Sequence, residues 1–444
     1  MKKNLFSLAA LLLAGFTATA QEVNYEEFDL DNGLHVILHQ DNSAPVVTVG
    51  VMYDVGGKDL GGTPETGLRT GFAHFFEHLL FEGTQNIDRG EWFKIVSSNG
   101  GSNNANTSLD RTYYYEVFPS NNLELGLWME SERMLHPVID QVGVDTQNEV
   151  VKEEKRLRYD NSPYGQFLFA VSDNLFSKHP YKNKNIGEMS DLDDSTLEEF
   201  QAYFKKWYTP NNAALVIAGD INVTEAKRLA KLYFEDIPSG DVPVRNFQKE
   251  DPITEALEAK FYDPNIQIPA IITGYRTPGF AERDSYILNM ISTYLSDGKT
   301  SKLYKKLVDD QKMALQAGAI NIPQKDYSIY AIYGLPLGET SLETLLSEMD
   351  EEVVKLQTEL ISEKDFQKLQ NKFENQFVNS NSSVQGIAAS LATNYMLYGN
   401  TDLINSEIDI YRTATREDIQ AVAKKYLNPN QRVVLEYLPK KDDK

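Results

Sequence analysis

The residues most able to do chemistry are His74-Phe75-Phe76-Glu77-His78. In a helix, side chains four apart lie one turn above each other, so both imidazoles can reach a single ion about 2.0 to 2.1 Å from each nitrogen. Glu77 falls on the same face, next to where an ion-bound water would sit. Zinc lowers the pKa of such a water toward 7, and a neighbouring carboxylate can take its proton as it attacks a peptide carbonyl. Phe72, Phe75, Phe76 and Phe81 make the segment apolar almost all round, which predicts burial. Two buried histidines and a carboxylate need partners.

Zinc with an open position needs a third protein ligand. The predicted helix around Glu149 to Arg158 offers Glu153 and Glu154, and spacing alone does not choose between them. His35 and His39 share the four-residue spacing but fall in a strand, where four residues span about 13 Å, so they do not share an ion. His136 and His179 each precede proline and read as structural or exposed.

These residues require scaffolding. Strands are expected at 34–39 and 46–54, rich in β-branched residues and bounded by turn formers, and again from Thr112. The periodicity predicts a helix from Thr70 to Gly83, and further helices near 121–135 and 145–160, the last opened by Asp145. Ser195 with Glu198 reads as a capping box. Lys205-Lys-Trp-Tyr-Thr-Pro-Asn211 before a strand recurs 219 residues later as Lys424-Lys-Tyr-Leu-Asn-Pro-Asn430 before another. That repeat implies two halves of like fold, each α+β with a largely antiparallel sheet. The expected division is a signal segment at 1–20, an N-terminal zinc-binding domain at 21–237, a linker at 238–252 and a C-terminal domain at 253–440.

Lys2 and Lys3, an apolar run from Leu5 to Phe16, and Ala18-Thr19-Ala20 have the order of a secretory leader cleaved near Gln21. The chain has no cysteine, which excludes disulfides and thiolate chemistry. A periplasmic or secreted protein is expected. A formal net charge of −22 disfavours nucleic acid as a partner, and no later apolar stretch approaches the roughly 20 residues of a membrane span.

The chain resembles the inverzincin peptidases, the family of pitrilysin, insulin-degrading enzyme and mitochondrial processing peptidase, whose motif is His-x-x-Glu-His. The resemblance runs through Leu80-Phe81-Glu82-Gly83-Thr84, Asn104-Ala105-Asn106-Thr107, Tyr208-Thr-Pro-Asn-Asn212 and Val216-Ile-Ala-Gly-Asp220. It implies a zinc metalloendopeptidase with Glu77 as general base. It also implies that a glutamate 76 positions after His78, within Val150-Val151-Lys-Glu-Glu154, completes the site, which favours Glu154. The family usually has an acidic residue seven positions earlier that supports the site; here that position is Gln147, which has no carboxylate. Asn104 and Ala105 match the family's edge strand, on which extended peptide substrates add as a strand, and Phe81 is a candidate to line the cleft.

Family members work as clamshells of four like domains, and this chain supplies two. The opposite half normally brings an arginine and, seven residues on, a tyrosine to stabilise the oxyanion. Here those positions read Val308 and Leu315, with Arg276, Tyr294 or Tyr304 as alternatives. The resemblance therefore implies one zinc per chain and a heterodimer with a sister chain that carries the Arg/Tyr pair. The alternative is a non-catalytic, peptide-binding subunit of the same fold.

Overall fold

The computed structural model describes residues 22–440, and the expected leader lies outside them. In the first half the strands are β1 (Glu26–Asp29), β2 (His35–Gln40), β3 (Val46–Tyr53), a small hairpin of β4 (Gly61–Thr63) and β5 (Gly67–Arg69), β6 (Ser102–Thr107), β7 (Thr112–Pro119) and β8 (Ala213–Gly219). Its helices are α1 (Phe72–Leu79), α2 (Trp92–Ser98), α3 (Leu123–Leu135), α4 (Gln141–Lys155), α5 (Phe167–Leu175), α6 (Met189–Asp193), α7 (Leu197–Trp207) and α8 (Val223–Phe234).

The second half holds β9 (Leu257–Asp263), β10 (Ala270–Pro278), β11 (Ala314–Ile322), β12 (Tyr327–Pro336) and β13 (Val433–Pro439). Its helices are α9 (Arg283–Ser296), α10 (Leu342–Thr358), α11 (Glu363–Ser380), α12 (Val384–Thr393), α13 (Leu403–Arg412) and α14 (Arg416–Tyr426).

The two sheets repeat one topology. Strand order is β1-β2-β8-β3-β7-β6 in the first and β9-β13-β10-β12-β11 in the second. Each contains one parallel pair, β2 with β8 and β9 with β13, among antiparallel neighbours. The repeated Lys-Lys segments end α7 and α14, each leading into its parallel strand, as the sequence repeat implies. The fold is α+β in both halves.

Each half lends the other a helix. Ala170, Val171 and Leu175 of α5 pack with Ile272, Ala331, Leu435 and Tyr437 of the second sheet. Ile387, Ala388, Leu391 and Ala392 of α12 pack with Ile37, Met52, Val216 and Ala218 of the first. Gly274 permits the first contact, because a Cβ there would stand 2.8 Å from the Val171 side chain.

The segment 238–252 has no regular structure but is tied down. Arg245 pairs with Asp54 at 2.9 Å and Asp59 at 2.6 Å. The Glu250 carboxylate accepts the backbone N–H groups of Ser177, Lys178 and His179.

Helix boundaries differ from expectation: α1 spans Phe72–Leu79, inside the expected Thr70 to Gly83, and two helix starts are displaced. Helix α4 starts earlier, capped by Asp140, whose side chain accepts from the Gly143 N–H, and Asp145 lies inside it. The capping box is Thr196 with Glu199, one residue beyond the expected pair. Both shifts arise because a cap is set by where the chain turns into the helix, which several neighbouring polar residues allow.

Candidate metal centre and peptide edge

Helix α1 is held at both ends. Gly71 precedes it at φ 82°, a left-handed conformation that suits glycine, and a Cβ there would stand 2.8 Å from Gly187 Cα. Thr70 donates through its N–H and hydroxyl to Asp191 at 2.9 and 2.6 Å, fastening the helix start to α6. The Tyr114 hydroxyl donates to the Phe76 carbonyl at 2.7 Å, and Arg133 donates to the Leu80 carbonyl at 2.9 Å. The Phe76 carbonyl also accepts from the Leu80 N–H, while the Leu80 carbonyl, left open where the helix ends, is satisfied from the core by Arg133.

Helix α4 packs beside α1 and brings Glu154 to both histidines. Its Oε2 lies 3.6 Å from His74 Nε2 and 3.1 Å from His78 Nε2. The three ligand atoms lie within 4.8 Å of one another, and among the described residues no other cluster of this kind forms. Glu153 instead faces solvent and pairs with Arg156 at 3.0 Å, so geometry separates the two candidates.

The electrostatics suit a cation. Burial, reinforced by His78, brings His74 down to about 4, so it is neutral at pH 7 with a lone pair free. Burial alone pushes Glu154 up, but the hydrogen bond with His78 and the electrostatic pull of the two imidazoles and Arg158 outweigh it and hold Glu154 below the usual carboxylate value. Two imidazoles and one carboxylate form a donor set that zinc accepts in tetrahedral sites with one position open.

Glu77 is half-buried on α1, beside His78 and near Thr107 at the end of β6. Burial raises it above the ordinary carboxylate value, opposed by Thr107 and His78. Arg111, which donates to the Asn106 carbonyl at 2.8 Å, adds a positive charge nearby.

Strand β6 is the free edge of the first sheet, with Asn104 opposite Tyr115 and Ala105 opposite Tyr114 on β7. The Ala105 N–H is bonded to the Asn104 side-chain oxygen at 3.0 Å rather than to another strand. Phe81 packs over the Arg133 guanidinium at 4.4 Å, together with Trp92 and Tyr114. Gln147 donates to Glu82 at 2.5 Å and touches neither histidine through that bond.

The remaining histidines have structural partners. His35 bonds Asp29 and His39 the Asn24 carbonyl. His179 is buried and accepts from the Tyr181 N–H, while His136 closes α3 opposite Glu132. Val308 packs against the second core, and Leu315 is exposed on edge strand β11. Arg276 is engaged with the Leu175 and Asp251 carbonyls.

The sequence reading missed Arg158, whose Nη1 forms an ion pair with Glu154 Oε1 at 2.8 Å, although its four-residue spacing from Glu154 was visible. It also missed Arg133, which only the tertiary fold brings beneath α1.

A duplicated α+β scaffold with a His-His-Glu cluster on facing helices of its first half is that of a peptidase class. The chain belongs to peptidase family M16: residues 35–187 match insulinase (peptidase family M16) and residues 194–373 the peptidase M16 inactive domain. These matches meet ahead of the 238–252 segment. The chain is 30% identical over 440 residues to the zinc protease PqqE of Helicobacter pylori, covering 97% of each. A crystal structure of a protease from Helicobacter pylori superposes with a TM-score of 0.86 at 28% identity, covering 94% of this chain and 100% of that one. The periplasmic protease PqqL from Escherichia coli shares the fold at a TM-score of 0.77 and 17% identity, with 94% of this chain covering 48% of that longer one.

Proposed function

We propose that the chain is a zinc metalloendopeptidase subunit acting on short, unfolded peptides. The observation carrying this reading is the convergence of His74 Nε2, His78 Nε2 and Glu154 Oε2 beside Glu77. Zinc held there would polarise the scissile carbonyl and supply an activated water. Glu77 takes the water's proton and returns it to the leaving amine. An extended peptide pairs along β6, where Ala105 offers its N–H once the Asn104 side chain is displaced, so recognition is mainly through backbone.

The leader-like segment Lys2–Ala20 and the lack of cysteine support export to the periplasm or beyond. Aliphatic side chains at Val308 and Leu315 support a two-chain clamshell whose sister chain brings the oxyanion contacts. The same two residues favour the second reading, a peptide-binding subunit without turnover of its own.

Zinc content and peptide hydrolysis of the purified chain, alone and with its sister chain, test the proposal. One zinc per chain is expected, with Glu77→Gln keeping the metal but losing about 10²- to 10⁴-fold in turnover. No zinc uptake, or full activity in Glu77→Gln, sinks the catalytic reading.

A further inference from the structure

The helix carrying Glu154 does not continue as a regular α-helix. Residues Arg156–Asp160 form a π-helical turn, a form frequent at functional sites, though Tyr304–Asp310 and Asn394–Tyr398 adopt it as well. Lys155 holds both Asp160 oxygens at 2.8 Å, Gln166 donates to Asp160 Oδ1 at 2.8 Å, and Asn265 from the second half donates to the Asp160 carbonyl at 2.6 Å. From this anchored turn Arg158 reaches back and occupies Glu154 Oε1 at 2.8 Å, while Oε2 faces the imidazoles. Arg156, in the same turn, pairs with Glu153 instead.

We infer that Arg158 is a positioning residue that restricts Glu154 to a single ligating oxygen. The inference rests on the metal reading above and concerns how the carboxylate is offered. An unrestrained carboxylate can turn both oxygens to one cation, whereas a hydrolytic centre with three protein ligands needs a position left for water. With Oε1 engaged by the guanidinium, only Oε2 is free to ligate. The Arg158 side chain is 69% exposed, so solvent screens its charge, and its main contribution is the close seat of the guanidinium against Oε1, which leaves that oxygen no room for an ion.

The test uses full-length wild type, Arg158→Ala, Arg158→Lys and Arg156→Ala, each stripped of metal and reloaded with cobalt for visible absorption or zinc for hydrolysis. Wild type and Arg156→Ala are expected to give the intense bands of four-coordinate cobalt. Arg158→Ala should give the weaker bands of a five-coordinate ion and lose about 10- to 100-fold in kcat/KM, with Arg158→Lys between. Metal-free melting temperatures should agree across the set, separating this role from folding. An Arg158→Ala cobalt spectrum identical to wild type overturns the inference, whatever the activity. A wild type that takes up neither metal overturns the metal reading instead.

Discussion

Arg133 and Glu116 form a fully buried ion pair at 3.1 Å beneath α1. The same guanidinium binds Glu130 at 3.1 Å and donates to the Leu80 carbonyl that ends α1. Two carboxyls share one cation, and burial followed by the charge of Glu130 raises Glu116 well above its ordinary value, against the pull of Arg133. Replacing Arg133 by methionine keeps volume and strands both carboxyls. A loss of about 3–5 kcal/mol is expected in urea unfolding. The deficit should shrink as pH falls toward 5, because the carboxyls must then be neutral to stay buried, and protonating them becomes easier. A deficit independent of pH removes this explanation.

A second charged cluster joins the halves. Lys58 reaches Asp110 at 2.8 Å and Asp326 at 3.4 Å, and His179 Nε2 lies 3.3 Å from Asp326. Burial works to raise Asp326, but the hydrogen bond with His179 and the ammonium of Lys58 bring it down to about 2. A carboxyl depressed in the folded state stabilises above its unfolded pKa, near 3.8, and that contribution is lost as pH falls through about 2. With the side chain 38% exposed, screening leaves about 1 kcal/mol. Asp326→Asn should therefore flatten the stability curve between pH 5 and pH 2.5. An unchanged slope assigns the acid sensitivity elsewhere.

Much of this was legible in the sequence because it is local. The four-residue spacing of His74 and His78 needs only a helix, and the repeated Lys-Lys segments needed only comparison with each other. Choosing Glu154 over Glu153 was different: both sit on the same helix, and the structure shows that one points across to α1 while its neighbour faces solvent. The exchange of α5 and α12 between halves left no local mark either. Their apolar faces fit any sheet, and only tertiary packing determines which one they cover.

That exchange makes the halves interdependent. Leu391 lies on α12 in the second half yet packs against the first sheet, with no exposed surface. Leu391→Ala should cost about 2–5 kcal/mol. Hydrogen exchange should quicken in β3 and β8, which α12 covers, as much as in α12 itself. Loss of protection confined to the second half contradicts the coupling.

The edge strand permits a test that leaves the metal cluster untouched. The Ala105 N–H bonds the neighbouring Asn104 side chain and no other strand, so proline at 105 removes one donor from the open edge without cutting the β6–β7 ladder. Asn104 is already extended within β6, as a residue before proline prefers. If peptides add along β6, one backbone hydrogen bond worth about 1–1.5 kcal/mol is lost, and kcat/KM should fall roughly tenfold. Zinc content and melting temperature should hold. Asn104→Ala provides the opposite arm: it frees the same N–H from its internal acceptor, so KM should fall or stay level rather than rise. Steady-state kinetics on one unstructured peptide decide the matter, and equal kcat/KM for wild type and Ala105→Pro places substrate binding away from this edge.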